Sequence, residues 1–230
     1  MTPKRPEPIL SPVGNAAVAA AVAAVEARAN AEVVTVISRR ADDYGDVALA
    51  WSALVAGLAL LAINLAPGFY LLLVDRALGL WAHSWTLHEV LGLALIAATV
   101  KFAAMWLLLQ WRPLRLALTP RPIKTARVRA RAQIAFRLAV QGRTRGATGV
   151  VIYLSMAERR AEIIADDAIA SKVAPEVWGD AMHAMLAEIR DGNIAGGLVT
   201  GVDQVGAVLA AHFPRTETAG NELPDGAIEL

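Results

Sequence analysis

The stretch VALAWSALVAGLALLAINLAPGFYLLLV, Val47 to Val74, runs for 28 residues without a charge. After a short, mildly polar gap, VLGLALIAATVKFAAMWLLLQW follows from Val90 to Trp111, and its single charge is Lys101. A helix rises ~1.5 Å per residue, so about 20 apolar residues cross the hydrocarbon of a bilayer. Both runs reach that length, and residues 47–111 read as a two-helix transmembrane hairpin. Pro67-Gly68 bends or ends the first span and leaves Phe69 to Val74 at depth or along the interface. Trp81 and Trp85 in the gap, and Trp106 and Trp111 beyond, suit the headgroup zone. Asn64 and Lys101 are the polar side chains singled out within the spans. A charge in the hydrocarbon is costly, so Lys101 is expected to face its neighbour helix, snorkel, or meet water or a partner.

Charge fixes the expected orientation. Arg112 to Arg145 contains ten Lys/Arg and no Asp or Glu, whereas Gly146 to Leu230 contains five Lys/Arg and thirteen Asp/Glu. The net +1 of the whole chain hides this division. Cytoplasmic flanks collect positive charge. Lys4, Arg5, Arg28, Arg39 and Arg40 precede the hairpin, while its loop offers only Arg76. Both termini are therefore expected in the cytoplasm, with the Trp81/Trp85 loop outside. Arg112, Arg115, Arg121, Lys124, Arg127 and Arg131 are assigned to contact with anionic lipid headgroups, which attract juxtamembrane cations. Nucleic acid is not expected as a partner, because only Phe136 is interleaved for base stacking.

Around the hairpin the chain reads as one domain cut in two. Of its 230 residues 56% are hydrophobic and mean hydropathy is +0.46, with much of the excess in the spans. Cysteine is absent, which excludes disulfides, thiolate catalysis and Cys-based metal sites. Residues 1–12 carry four prolines and read as a flexible tail; no apolar segment there suits a signal peptide. Asn15 is a plausible cap for a helix with Val18, Val22, Val25 and Ala29 on one face and Glu26 and Arg28 elsewhere on its surface. Glu32 to Ser38 is a β-branched run of strand length. Residues 112–123 form a basic, Pro-rich connector. Ala126 to Gln141 returns to helix, with Ile134 and Leu138 four apart and Val128, Ala132, Ala135 and Ala139 beside them. Thr148 to Ser155 and Ala161 to Ala165 read as a strand hairpin. Two helices follow, one opened by Pro175, one built on Ile194, Leu198, Val202, Val205 and Leu209. Residues 214–230 make an acidic tail without a clear fold.

The predicted fold class is α/β: a small mixed-sheet α/β sandwich with the hairpin inserted. Its domain is split into 13–46 and 124–213. A single strand cannot bury its faces, so Val33–Ser38 is expected to pair with Thr148–Ser155 across the insertion.

Ala31-Glu32-Val33-Val34-Thr35-Val36, Asp43-Tyr44, Thr148-Gly149-Val150-Val151-Ile152-Tyr153 and Arg160-Ala161-Glu162-Ile163-Ile164-Ala165-Asp166 together resemble a TPM domain. The hairpin, Ala157-Glu158-Arg159-Arg160 and Asn221-Glu222-Leu223-Pro224-Asp225 resemble a bacterial branch of membrane proteins within that family. The resemblance covers about Asn15 to Leu230. It implies a compact α/β sandwich and a bacterial inner-membrane location. For function it implies several roles: members have been described as acid phosphatase, as calcium-binding, and as acting in membrane-complex maintenance or receptor modulation. Many members have Gly where Asp166-Asp167 stand here, and many place the domain outside the cytoplasm.

If the strands ending at Ser38 and Ser155 are parallel, their carboxyl ends form the edge where open α/β sheets bind ligands. Asp42, Asp43, Asp46 and Glu158 reach that edge and offer oxygen ligands for Ca²⁺ or Mg²⁺. A solvated edge with surface ion pairs is the alternative, and Arg39, Arg40 and Arg159 favour an anion there instead. Asp166-Asp167 should lie at the opposite end, as a turn or helix cap. His83, His88, His183 and His212 lack metal-pair spacing. There is no hydrolase elbow, phosphate-binding Gly-Lys-Ser/Thr loop or zinc-protease motif. The first expectation is a non-enzymatic scaffold or partner-binding module of a membrane complex, with a membrane protein as partner. The alternative is a membrane-tethered, Ca²⁺- or Mg²⁺-dependent phosphatase.

Overall fold

The structure, a computed structural model, describes residues 7–80, 83–140, 148–215, 223 and 225–230. It divides into two compact units, Met1–Asp42 with Arg121–Leu230, and Asp43–Pro120.

The first unit is a four-stranded mixed sheet with helices on both faces. Chain order gives α1 (Pro12–Glu26), β1 (Glu32–Ser38), α6 (Arg121–Ala139), β2 (Gly149–Ser155), β3 (Arg160–Ala165), α7 (Asp167–Ala170), α8 (Pro175–Arg190), α9 (Ile194–His212) and β4 (Ile228–Glu229). The strand order is β3-β2-β1-β4. β1 and β2 run parallel, with Val33 opposite Val150 and Ser38 opposite Ser155, and β2 and β3 form the antiparallel hairpin. The expected pairing across the insertion is the one observed.

Side chains of a strand point alternately to its two faces. Val33 and Ile37 of β1, with Val150, Ile152 and Leu154 of β2, enter one core with α1, α8 and α9. Val34, Val36, Val151 and Tyr153 enter the other, beneath Val128, Ala132 and Ala135 of α6. Every residue of β1 and β2 is buried, the pattern of strands covered on both faces. α9 lies close against α1 and α8 because it is lined with glycine. A Cβ on Gly206 would stand 2.2 Å from Val25 Cγ2, and one on Gly201 2.8 Å from Met185 Sδ.

Four local expectations are corrected. α1 starts at Pro12 under a Ser11 cap, whose hydroxyl accepts the Gly14 N–H at 3.0 Å, and Leu10 is buried, so the tail is anchored before residue 12. Asn15 is not the cap; its Oδ1 accepts the Ala227 N–H at 2.9 Å. The chain's end has structure, since β4 pairs with β1 and Glu229 accepts the N–H groups of Ile9 (2.8 Å) and Leu10 (2.9 Å). On α6 the apolar face is not built on Ile134 and Leu138, which are 45% and 68% exposed. Val128, Ala132 and Ala135 face the sheet instead, because small side chains let the helix approach it closely.

The second unit contains α2 (Gly45–Leu65), α3 (Pro67–Leu78), α4 (Leu87–Leu108) and α5 (Arg112–Leu118). α2 packs along α4. Pro67 ends α2 and opens α3, as its missing N–H and fixed φ require. Thr86 caps α4 in a capping box with Glu89. Within the expected basic, Pro-rich connector, Arg112–Leu118 is helical, and the Trp51 indole N–H donates to the Leu118 carbonyl at 3.2 Å. Leu54, Leu58, Leu61, Leu91, Leu95 and Ile96 are all exposed.

Three helices of the chain are long and apolar enough to cross a membrane: α2, α4 and α9. These point to membrane association. α9 differs from the others in having Leu198, Val202, Val205 and Leu209 fully buried in the sheet's core.

Candidate functional site at the carboxyl edge of the sheet

β1 and β2 end side by side at Ser38 and Ser155. The chain leaving β2 continues the pairing: Met156 N–H donates to the Ser38 carbonyl at 2.9 Å and Ala157 N–H to the Arg39 carbonyl at 3.0 Å. Glu158 is buried in this turn. Both of its carboxylate oxygens lie 3.2 Å from the Ala41 N–H, and the Ser155 hydroxyl donates to Oε2. Ser38 donates its hydroxyl to the Arg40 carbonyl at 2.6 Å. Glu158 thus holds the loop after β1 against the turn after β2.

Tyr153 stands behind this edge, on the α6 side, fully buried. Among the described residues its hydroxyl has no partner in good hydrogen-bond geometry, although the Ser38 and Ser155 hydroxyls are near. Burial pushes its pKa above the ordinary value; the Ser38 and Ser155 hydroxyls and the Arg131 charge nearby oppose that, and Glu158 adds to it. The arrangement is a buried hydroxyl and carboxylate cluster with one cation near it. It can accept or donate hydrogen bonds, and within it the Ser155 hydroxyl is paired with the Glu158 carboxylate.

Of the four acids assigned to a metal, Asp42 and Glu158 belong to this unit. Asp42 forms an ion pair with Arg127 at 3.1 Å. Asp43 lies in the second unit, and Asp46 is in the first turn of α2. Among the described residues no group of three or more His, Asp or Glu side chains is placed to hold a metal ion. Asp166 lies at the other end of the sheet, where its Oδ2 accepts the Gly149 N–H at 2.9 Å.

The basic residues lie on two helices. Arg112 and Arg115 are on α5, Arg121, Lys124, Arg127 and Arg131 on α6. Lys124, Arg127, Arg131, Ile134 and Leu138 follow one another at spacings of three or four, a single stripe of α6. The stripe runs from cations into two exposed apolar side chains. In the second unit Asn64 and Lys101 are both exposed, so Lys101 is not covered by its neighbour helix.

Two groups escaped the reading of the sequence. Ser38 and Ser155 are polar ends of apolar runs, and only the parallel register makes them neighbours. Glu26, expected on the surface of the first helix, is instead a buried acid at the amino edge, together with Glu32. Glu26 accepts the Val33 N–H at 3.1 Å and Glu32 the Leu223 N–H at 3.2 Å. Burial, with repulsion from Glu32 and Asp225, pushes the Glu26 pKa up to about 8. The signal was a Glu at helical spacing beside Val22 and Val25.

Residues 118–208 match the family model of the TPM domain. That span takes in α6, β2, β3, α7, α8 and most of α9; α1 and β1 lie outside it but share its sheet and cores. The NMR structure of the BA42 protein from the psychrophilic bacterium Bizionia argentinensis is similar in fold, with a TM-score of 0.55, 16% identity and 97% of each chain covered. No curated protein matches the chain. The family match falls within the α/β unit, whose fold is similar to that of BA42, and an apolar helical unit is inserted between the first and second strands of that unit.

Proposed function

We propose that this protein is a membrane-anchored TPM domain scaffold, a partner-binding module of a complex in the bacterial inner membrane. One observation carries the reading: α2 and α4 pack on each other yet expose leucines such as Leu54, Leu58, Leu91 and Leu95. Such a surface needs lipid around it. The burial of α9 in the sheet's core supports a reading with two spans, α2 and α4. The cationic stripe of α6 supports contact with anionic headgroups on the cytoplasmic side, where both termini would lie. Lys101, exposed on α4, supports a lateral contact with a membrane protein carrying an acidic or polar side chain.

Crosslinking in native membranes from a photoreactive residue at position 101, followed by purification, tests this directly. A discrete membrane-protein adduct, lost when the same residue is placed at exposed Leu95, is the expected result. Lipid adducts alone would remove the partner. Reporters fused at the C-terminus and in the loop between α3 and α4 test the orientation. A C-terminus found outside would reverse it.

A further inference from the structure

On the face of the sheet opposite α6, a cavity of about 280 Å³ opens between the β2–β3 turn and the turn from α8 to α9. Its floor is Leu154, and its walls are Met156, Leu186, Ile189 and Ile194, all packed on the core. Ser155, Gly192, Arg159 and Arg190 complete the lining. Both arginines are partly exposed, and among the described residues neither has an ion-pair partner.

Arg159 is also one of two non-glycine residues described with positive φ, at 51°. That conformation costs free energy for a residue with a Cβ, and a glycine would hold the turn without it. A strained residue beside a cavity is a reason to look for a ligand. The rim gains further positive character from the first turn of α9. Its Gly196 N–H is capped by Asn193 at 3.0 Å, while no such side-chain cap is described for the preceding N–H groups. Acids are near as well: Glu158 is engaged with Ser155 and Ala41, and Glu188 receives Asn193 and Thr200.

Two unpaired guanidinium groups over an apolar floor define a ligand class. Guanidinium matches planar or tetrahedral oxyanions in paired hydrogen bonds. The floor and walls require a hydrocarbon body attached to that head. We propose that this cavity binds a small amphipathic anion, a carboxylate or phosphate ester with a short hydrocarbon body, its head between Arg159 and Arg190 and its body on Leu154, Ile189 and Ile194. This goes beyond the scaffold role and does not depend on it, since every lining residue belongs to the α/β unit.

The full chain in lipid nanodiscs, with labelled Leu and Ile methyls, is titrated with hexanoate, hexyl phosphate, hexanol and inorganic phosphate. Hexanoate or hexyl phosphate should shift the Leu154, Ile189 and Ile194 methyls saturably, and the tighter of the two names the head group. Hexanol and inorganic phosphate should bind at least roughly tenfold more weakly, since each lacks half of the recognition. Arg159→Gln with Arg190→Gln should weaken binding roughly tenfold or more, with Val202 and Leu209 methyls unmoved as evidence of an intact core. The single variants, each milder, should weaken it by less. No saturable shift by either amphiphile up to about 10 mM overturns the proposal. Equal binding by hexanol, equal binding by inorganic phosphate, or unchanged affinity in the double variant overturns it too.

Discussion

Glu158 and Ala41, 117 residues apart in the chain, meet at 3.2 Å, the carboxylate accepting the backbone N–H. The contact ties the loop after β1 to the turn after β2 at the carboxyl edge of the sheet. Neither β1 nor the β2–β3 hairpin makes this contact alone; it exists only once the parallel register has formed. Cutting Glu158 back to Ala leaves the Ala41 N–H and the Ser155 hydroxyl without their acceptor. Leaving buried polar groups unsatisfied costs about 1–3 kcal/mol. Glu158→Ala should therefore lower the unfolding midpoint and speed exchange of the Ala41 amide, with Glu158→Gln intermediate. Unchanged Ala41 exchange in the Ala variant would show that the carboxylate does not hold the loop.

The packing of α9 on α1 makes a sharper claim. A methyl at Gly206 meets Val25 Cγ2 at 2.2 Å and Cγ1 at 2.9 Å. Val25 is fully buried and β-branched, so it has little room to turn away. Overpacking of this kind costs about 1–3 kcal/mol, while replacing Gly by Ala inside a helix returns up to about 1 kcal/mol. The clash should win, and Gly206→Ala should be destabilised by about 1–2 kcal/mol. Gly179→Ala, on α8 with nothing near its added methyl, should be neutral or stabilised in the same thermal melt. Equal behaviour of the two variants would mean that the helices do not approach this closely.

Glu26 sets a pH dependence of unusual sign. Its pKa rises from an ordinary 4.5 to about 8 in the fold, burial being the largest cause. Between those two values the folded chain keeps a proton that the unfolded chain has released. Stability from this group is therefore complete below about 4.5 and falls as pH rises towards about 8. The total fall is on the order of a few kcal/mol. Glu26→Gln has no proton to lose and can still accept the Val33 N–H. The difference in melting temperature between variant and wild type should grow in the variant's favour from pH 5 to pH 8. A constant difference across that range would mean that Glu26 is already ionised in the fold.

The sequence exposed the large features because they rest on patterns longer than any one contact. Two runs of span length, and β-branched strands of uniform apolarity, demand lipid and double coverage respectively. The parallel pairing of β1 with β2 was legible because Val33 and Val34 both needed cover, and no nearer strand could provide it. What stayed hidden depended on register. Glu158, held by Ser155, becomes the partner of Ala41 only through a pairing that spans the insertion. β4 was invisible because Ile228-Glu229 is two residues long and borrows its order from β1. On α6 the reading failed for another reason: it set Ile134 and Leu138 on one apolar face with Val128, Ala132 and Ala135. Close approach to the sheet selects small side chains, and Ala132 and Ala135 take the inner face.

That inversion leaves Ile134 and Leu138 beside Arg127 and Arg131 on the outer stripe of α6, and lipid contact there is open to direct measurement. The chain has no cysteine, so Ile134→Cys places a unique thiol in the stripe. Each Lys or Arg near an anionic surface gains about 1 kcal/mol, an attraction that salt screens. In nanodiscs rich in anionic lipid the thiol should react with a soluble maleimide several-fold more slowly than in zwitterionic ones. Raised salt should restore the rate, and so should Lys124→Gln with Arg131→Gln. Arg127 is spared because it pairs with Asp42 and its loss would disturb the loop after β1. A labelling rate indifferent to lipid charge would detach the stripe from the bilayer. It would leave Ile134 and Leu138 as a surface for a protein, to be sought among the crosslinked partners.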